Sequence, residues 1–162
     1  MPSFTASGAK ARDLWSVDGS PQFATFPGGI LTKVPIAIPI WLRVGTIAFG
    51  EIHIRTRHGH WVSKTGKSVP EFVYEKLGQS GSVYSTEMVD KVKVSLRLNP
   101  ASLLIMNLIS HGHQDHFSVT SLYIHPARLD GNVVGRYPGR RTLVPTQINL
   151  IANISESEAG GK

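Results

Sequence analysis

A chain of 162 residues has room for one domain of ordinary size, since domains cluster at about 100 to 150 residues, and this excludes a multidomain enzyme within it. Hydrophobic residues make up 41%, enough for a real core, and 17 Lys and Arg against 11 Asp and Glu give a formal charge of +6, with seven His besides, which favours an anionic partner. There is no cysteine, so disulfide frameworks, thiolate metal sites and thiol nucleophiles are excluded, and any zinc would need His and carboxylates.

Residues 1–34 are rich in Gly, Ser, Pro and Ala around isolated Trp15, Phe23 and Phe26, which predicts an extended arm or lead-in. Ile36, Ile38 and Ile40 alternate between prolines. Ile47, Phe49, Ile52 and Ile54 follow with a slip of one at Gly50, which predicts strands with a bulge or break there. In Ser68-Val69-Pro70-Glu71 a serine stands three residues before a glutamate with proline in the first turn. Phe72, Val73, Leu77 and Gly78 complete a capped helix of about three turns. Residues 85–93 read as a helix start, but Val92, Val94, Leu96 and Leu98 alternate into Asn99-Pro100, so the segment is taken as helix-to-strand. Leu103–Ile109 reads as a buried strand, Phe117, Val119, Ser121 and Tyr123 alternate with polar neighbours, and Gly131–Tyr137 is short and β-branched. Polar turns at 111–115 and 127–131 make hairpins simpler than crossovers, so the second half predicts an antiparallel meander. Residues 35–154 are thus expected to form one α+β domain and 155–162 a disordered tail, with no internal repeat.

The longest apolar runs, Pro35–Leu42 and Leu103–Ile109, fall far short of the roughly 20 residues that a spanning helix needs. The start MPSFTASGAK lacks the basic stretch and apolar run of a signal peptide, so the expectation is a soluble chain.

Two stretches carry chemistry. The first, SHGHQDH, follows an apolar strand and sets His111, His113, Asp115 and His116 close together. Its spacing resembles the metal-binding signature of the metallo-β-lactamase superfamily, which implies zinc activating a water. That superfamily also draws ligands from later motifs. Here only residues 117–162 follow, and His125 and Asp130 lack the surrounding pattern. The plain alternative is a polar hairpin turn with solvated His.

The second stretch runs from His53 to Lys67. If Ile52 and Ile54 point inward on a strand, His53, Arg55 and Arg57 form a basic row on the opposite face, followed by His58, His60, Lys64 and Lys67, with no acid before Glu71. This set suits a phosphodiester. A His titrating near neutrality can take the proton of a ribose 2′-hydroxyl, a second acid can protonate the leaving 5′-oxygen, and Arg or Lys can offset charge on phosphorus. A basic solvated strand edge is the plain alternative.

The order of HIRTRHG, a short loop, GKSVPEFV, then FSVTSLY and NVVGRYPGRR resembles the phage- and polymorphic-toxin-associated nucleases of the barnase, EndoU, colicin and RelE superfold, over residues 45–141. The resemblance implies an N-terminal arm and one or two helices packed on a curved, mainly antiparallel sheet of about four or five strands. It further implies RNA, such as transfer RNA, cleaved without metal by 2′-hydroxyl attack to a 2′,3′-cyclic phosphate. Carried onto this chain, it implies a base at His53 or His58, a basic partner at Arg55 or Arg57, and hydroxyls at Ser118 and Thr120 that position a phosphate. RNA contacts fall to Arg57, Lys64, Lys67, Arg136, Tyr137 and Arg140, with Tyr137 as a stacking surface. A toxin of this kind implies delivery to, or action in, a bacterial cytoplasm and an acidic immunity protein covering the basic face. Two other readings stand beside it: a zinc hydrolase acting through HGHQDH, and a non-enzymatic phage or virion component that uses residues 1–34 for subunit contacts.

Overall fold

The computed structural model describes residues 1–87, 91–98, 102–110, 114–124 and 132–140. Within them the chain order is β1 (Phe4–Ala6), β2 (Trp15–Val17), β3 (Ala24–Phe26), β4 (Ile38–Trp41), α1 (Gly50–Ser63), α2 (Val69–Leu77), β5 (Gly81–Glu87), β6 (Val92–Leu98), β7 (Ser102–Ile109), β8 (His116–Ile124) and β9 (Asn132–Tyr137). The class is α+β, with two helices and a curled, mainly antiparallel sheet. That sheet has seven strands in the order β3-β4-β8-β7-β6-β5-β9, more than the four or five expected. Among these strands β3 lies inside the expected arm, and β5 runs from Gly81 into the first residues, 85–87, of the segment read as a helix start. The expected tail, residues 155–162, lies outside the described residues.

Alternation builds the sheet's apolar face. Val92, Val94, Leu96 and Leu98 point to the core, and their partners Leu104, Met106, Phe117, Val119 and Leu122 are buried with them. β6, β7 and β8 are joined as successive antiparallel neighbours, as the meander predicts. β9 departs from the meander. It returns to the far edge and pairs with β5, and β4 adds to β8 in a parallel pairing, the one such pairing among the described strands. Residues 1–34 contribute Val17, Phe23, Phe26, Leu31 and Val34 to the same core. Phe26 meets Phe117 with ring centroids 4.6 Å apart. Each such phenylalanine contributes about 2 to 3 kcal/mol by leaving water.

The helix α2 forms as its sequence dictates. Ser68 accepts a hydrogen bond from the Glu71 amide, Pro70 sits in the first turn, and Phe72, Val73 and Leu77 enter the core. The helix α1 replaces the strand expected over residues 47–54. Gly50, at φ +80°, starts a helix instead of a bulge, and the spacing of Ile54, His58 and Val62 is helical. No side chain caps this helix. The amides of Glu51 and Ile52 instead donate to the Arg43 and Val44 carbonyls at 3.0 Å each, across a turn closed by Thr46 and Phe49. The backbone of Gly50 runs so close to Arg43 that a Cβ there would lie 2.8 Å from its carbonyl oxygen. Only glycine fits.

A register shift in β8 decides which of its side chains leave the core. Ile105 pairs with Ser121 but Met106 with Val119, so Thr120 is the extra residue of a bulge. The alternation expected to carry Phe117, Val119, Ser121 and Tyr123 on one face therefore breaks. Phe117, Val119 and Leu122 face the core, while Ser118, Ser121 and Tyr123 belong to the other face.

Candidate functional site

On a helix, residues two apart point to nearly opposite sides, so the row of His53, Arg55 and Arg57 that a strand would have made does not exist. Arg55 turns away and pairs with the buried Glu51 at 2.9 Å, one turn back. Ile54 and Val62 are buried in the core. His53 and His58 meet β8, which packs along α1.

His53 is held at both nitrogens. Its Nδ1–H donates to the Ile47 carbonyl at 2.8 Å, which leaves Nε2 as the acceptor of a hydrogen bond from the Ser121 hydroxyl at 3.0 Å. The Ile47 carbonyl thus fixes a proton on Nδ1 and turns Nε2 toward Ser121 and the sheet. His58 stands edge-on to it, 5.8 Å between ring centroids, and also edge-on to Tyr123 at 4.7 Å. Burial first, and then the charges of His53 and Arg57, hold the His58 pKa below its ordinary value. These effects favour its neutral form.

Beside this pair lies a cleft of about 360 Å³ between the start of α1 and the outer face of the sheet. Ala48, Phe49 and His53 form one wall; Lys91, Lys93, Ile105, Asn107, Thr120, Ser121 and Tyr123 form the floor and the other wall. Lys93 stands directly across from Asn107, which stands across from Ser118, and these three form one transverse row. Among the described residues, the lining contains two lysines and an imidazole and no carboxylate.

The expected hydroxyls are only partly there. Thr120 lines the cleft, but its hydroxyl donates to the Ile105 carbonyl at 3.1 Å and closes the bulge. Ser118 ends the row of Lys93 and Asn107 but is buried and does not line the cleft. Ser121, Tyr123, Lys91, Lys93 and Asn107 were not singled out from the sequence. The alternation of Lys91 and Lys93 with Val92 and Val94 is the signal that places the lysines on the outer face, but nothing in the sequence marks the bulge that brings Ser121 there.

Several expected RNA contacts have other partners. Tyr137 is fully buried and donates to the Leu77 carbonyl at 2.5 Å, so it has no free face for a base; burial pushes its hydroxyl's pKa up. Arg140 lies 3.4 Å over the Tyr74 ring and donates to the Tyr74 and Phe23 carbonyls at 2.7 and 3.3 Å, tying the segment after β9 to α2 and β3. Lys67 is paired with Glu75. Lys64 is exposed at the end of α1, Arg57 is exposed one turn beyond His53, and Arg136 is exposed on β9.

The described part of the HGHQDH motif does not fit a zinc site. The Nδ1–H of His116 donates to the Gln114 carbonyl at 3.0 Å, its Nε2 faces Arg43 Nη2 at 3.5 Å, and its ring stacks on Trp41 at 4.0 Å. An imidazole whose lone pair meets a guanidinium is not a ligand. Asp115 is exposed in the preceding loop. His111 and His113 lie outside the described residues, and among the described residues no three His or carboxylate groups gather as a metal site. No described helix is long and apolar enough to cross a membrane.

Compared with known proteins, the chain matches no family model, no curated protein and no solved structure.

Proposed function

We propose that this chain is a metal-independent endoribonuclease and that it cuts RNA in the cleft between the start of α1 and the sheet. The observation that carries this reading is the convergence there of an oriented imidazole, His53, two ammonium groups, Lys91 and Lys93, and the hydroxyls of Ser121 and Tyr123, with no carboxylate among the described lining residues. Such a lining favours an anionic ligand such as a phosphodiester and disfavours a cationic one.

In this reading a ribose 2′-hydroxyl displaces Ser121 from His53 Nε2 and gives that nitrogen its proton. The 2′-oxygen attacks phosphorus and the bond from phosphorus to the 5′-oxygen breaks. The products are a 2′,3′-cyclic phosphate and, once the leaving oxygen has been protonated, a 5′-hydroxyl. Lys91 and Lys93 offset the charge that builds on the phosphoryl oxygens, and the displaced Ser121 hydroxyl is free to donate to one of them. Tyr123, which lines the same cleft, is the proton donor for the 5′-oxygen. His58 stands edge-on to both the His53 and the Tyr123 ring and buttresses them. A role as a toxin or phage effector rests on the sequence resemblance, and an acidic immunity protein over the basic face would be its natural partner.

The test is incubation with total RNA, with and without excess EDTA, followed by analysis of fragment ends. Discrete fragments with 2′,3′-cyclic phosphate ends that persist in EDTA support the reading. Cleavage abolished by EDTA would move the site to the HGHQDH segment, and no cleavage in either condition would sink the nuclease reading.

A further inference from the structure

The outer face of the sheet continues beyond the cleft, across β7, β6 and β5 to β9. Direct pairing puts side chains on one face, so Tyr123, Leu103, Arg97, Ser82 and Arg136 form a single transverse row. At about 4.8 Å between strands, Arg97 lies about 10 Å from the Tyr123 end and Arg136 about 19 Å from it. Both arginines are exposed. The neighbouring row carries Tyr84, paired across from Ser95. None of the described positions on this face, from Ser82 to Arg136, is acidic.

We propose that this row is a track for a single RNA strand leaving the cleft, with Arg97 and Arg136 each holding one phosphate beyond the scissile one and Tyr123 and Tyr84 offering rings to unpaired bases. The proposal rests on the cleft being the cleavage site, which supplies the first phosphate. Charge selects the occupant: a row of cations without acids, spaced along one line, matches a polyanion of regular charge spacing. The exposed Tyr123 ring at the start of the row and the half-buried Tyr84 ring in the neighbouring row select unpaired bases, because a duplex hides its base faces in the stack. An arginine fork fits phosphate oxygens at two points, and two of them in line fix the direction of the strand.

Binding separates this proposal from the nuclease reading. In the His53→Ala background, which cuts RNA about 10² to 10⁴ times more slowly, a labelled single-stranded RNA octanucleotide of mixed sequence is titrated at several salt concentrations, alongside a dinucleotide and the octanucleotide annealed to its complement. Each of Arg97→Gln and Arg136→Gln is expected to weaken octanucleotide binding about five-fold at 0.1 M salt and to lower the slope of log affinity against log salt by about 0.7, the share of one phosphate on a single strand. Both together lower it by about 1.4, and dinucleotide binding does not change. Unchanged melting temperatures show that the variants are folded. Slopes equal to the parent's while the wild type still cleaves RNA would overturn the track alone. Duplex bound as tightly as single strand would overturn its single-strand character. Arginine-dependent binding without cleavage by the wild type would uphold the track and remove the nuclease.

Discussion

His53 and Ser121, 68 residues apart in the chain, meet at 3.0 Å between Nε2 and Oγ, while the other nitrogen of the same ring gives its proton to the Ile47 carbonyl at 2.8 Å. A backbone carbonyl thus sets the tautomer, and a displaceable hydroxyl occupies the basic nitrogen. This arrangement gives His53 a role different from that of the other histidines on α1. His53→Ala is expected to lower the rate of RNA cleavage by about 10² to 10⁴, the range of a lost general base, whereas His60→Ala, exposed and outside the cleft, leaves it within about two-fold. Single-turnover rates on one RNA substrate check both. Equal losses at the two positions would show that the helix, and not the oriented ring, is what matters.

Ser121→Ala separates positioning from proton transfer. The alanine removes the hydroxyl that holds Nε2 in the free protein but leaves the Ile47 carbonyl in place, so the base keeps its tautomer. Loss of one donor to the phosphoryl oxygens predicts a fall in kcat of about ten-fold, with the pH profile unchanged. A shifted pH profile would instead mean that Ser121 sets the basicity of His53.

How much of this was legible follows from which forces are local. The helix α2 is written in its own residues, because Ser68, Pro70 and Glu71 satisfy its first turn and Phe72, Val73 and Leu77 give it an inner face. The helix α1 is not. Its first amides are satisfied by the Arg43 and Val44 carbonyls, and alternation at Ile47 and Phe49 masks a turn that only the closed backbone reveals. The two histidines the sequence puts forward do come together, but through helical geometry and not along a strand face. Ser121 depends on a one-residue bulge that no pattern encodes, and Tyr137 reads as a plausible stacking ring until the Leu77 carbonyl claims its hydroxyl.

The lowered pKa of His58 makes a stability prediction with a definite sign. In the unfolded chain this group titrates near 6.5; in the folded protein it is lower, mainly through burial and then through His53 and Arg57. Between the two values the unfolded state binds more protons, so stability rises with pH there and is lost as pH falls from about 6.5 through the folded value. Urea unfolding from pH 7.5 to pH 4.5 should show that fall, and it should flatten in His58→Gln. A slope identical in the variant would assign the effect to other groups.

Gly50→Ala tests the start of α1 without touching any side chain of the cleft. The new Cβ meets the Arg43 carbonyl oxygen at 2.8 Å on a backbone at φ +80°, and the cost is of order 1 to 3 kcal/mol. Because Glu51 and Ile52 hang from the same stretch of backbone, the strain also shifts His53 relative to Ser121, so cleavage per folded molecule falls along with stability.

Tyr137→Phe provides the opposite pattern. Tyr137 hydrogen-bonds the last turn of α2 from inside the core, and the variant removes one buried hydrogen bond while keeping the ring. The Leu77 carbonyl keeps a second partner in the Arg140 amide at 3.0 Å, which limits the penalty to about 1 to 2 kcal/mol. Denaturant midpoints should drop accordingly, with RNA cleavage by the folded fraction unchanged. If cleavage fell while stability held, the ring would belong to the RNA surface after all and the hydrogen bond to Leu77 would have to open when RNA binds.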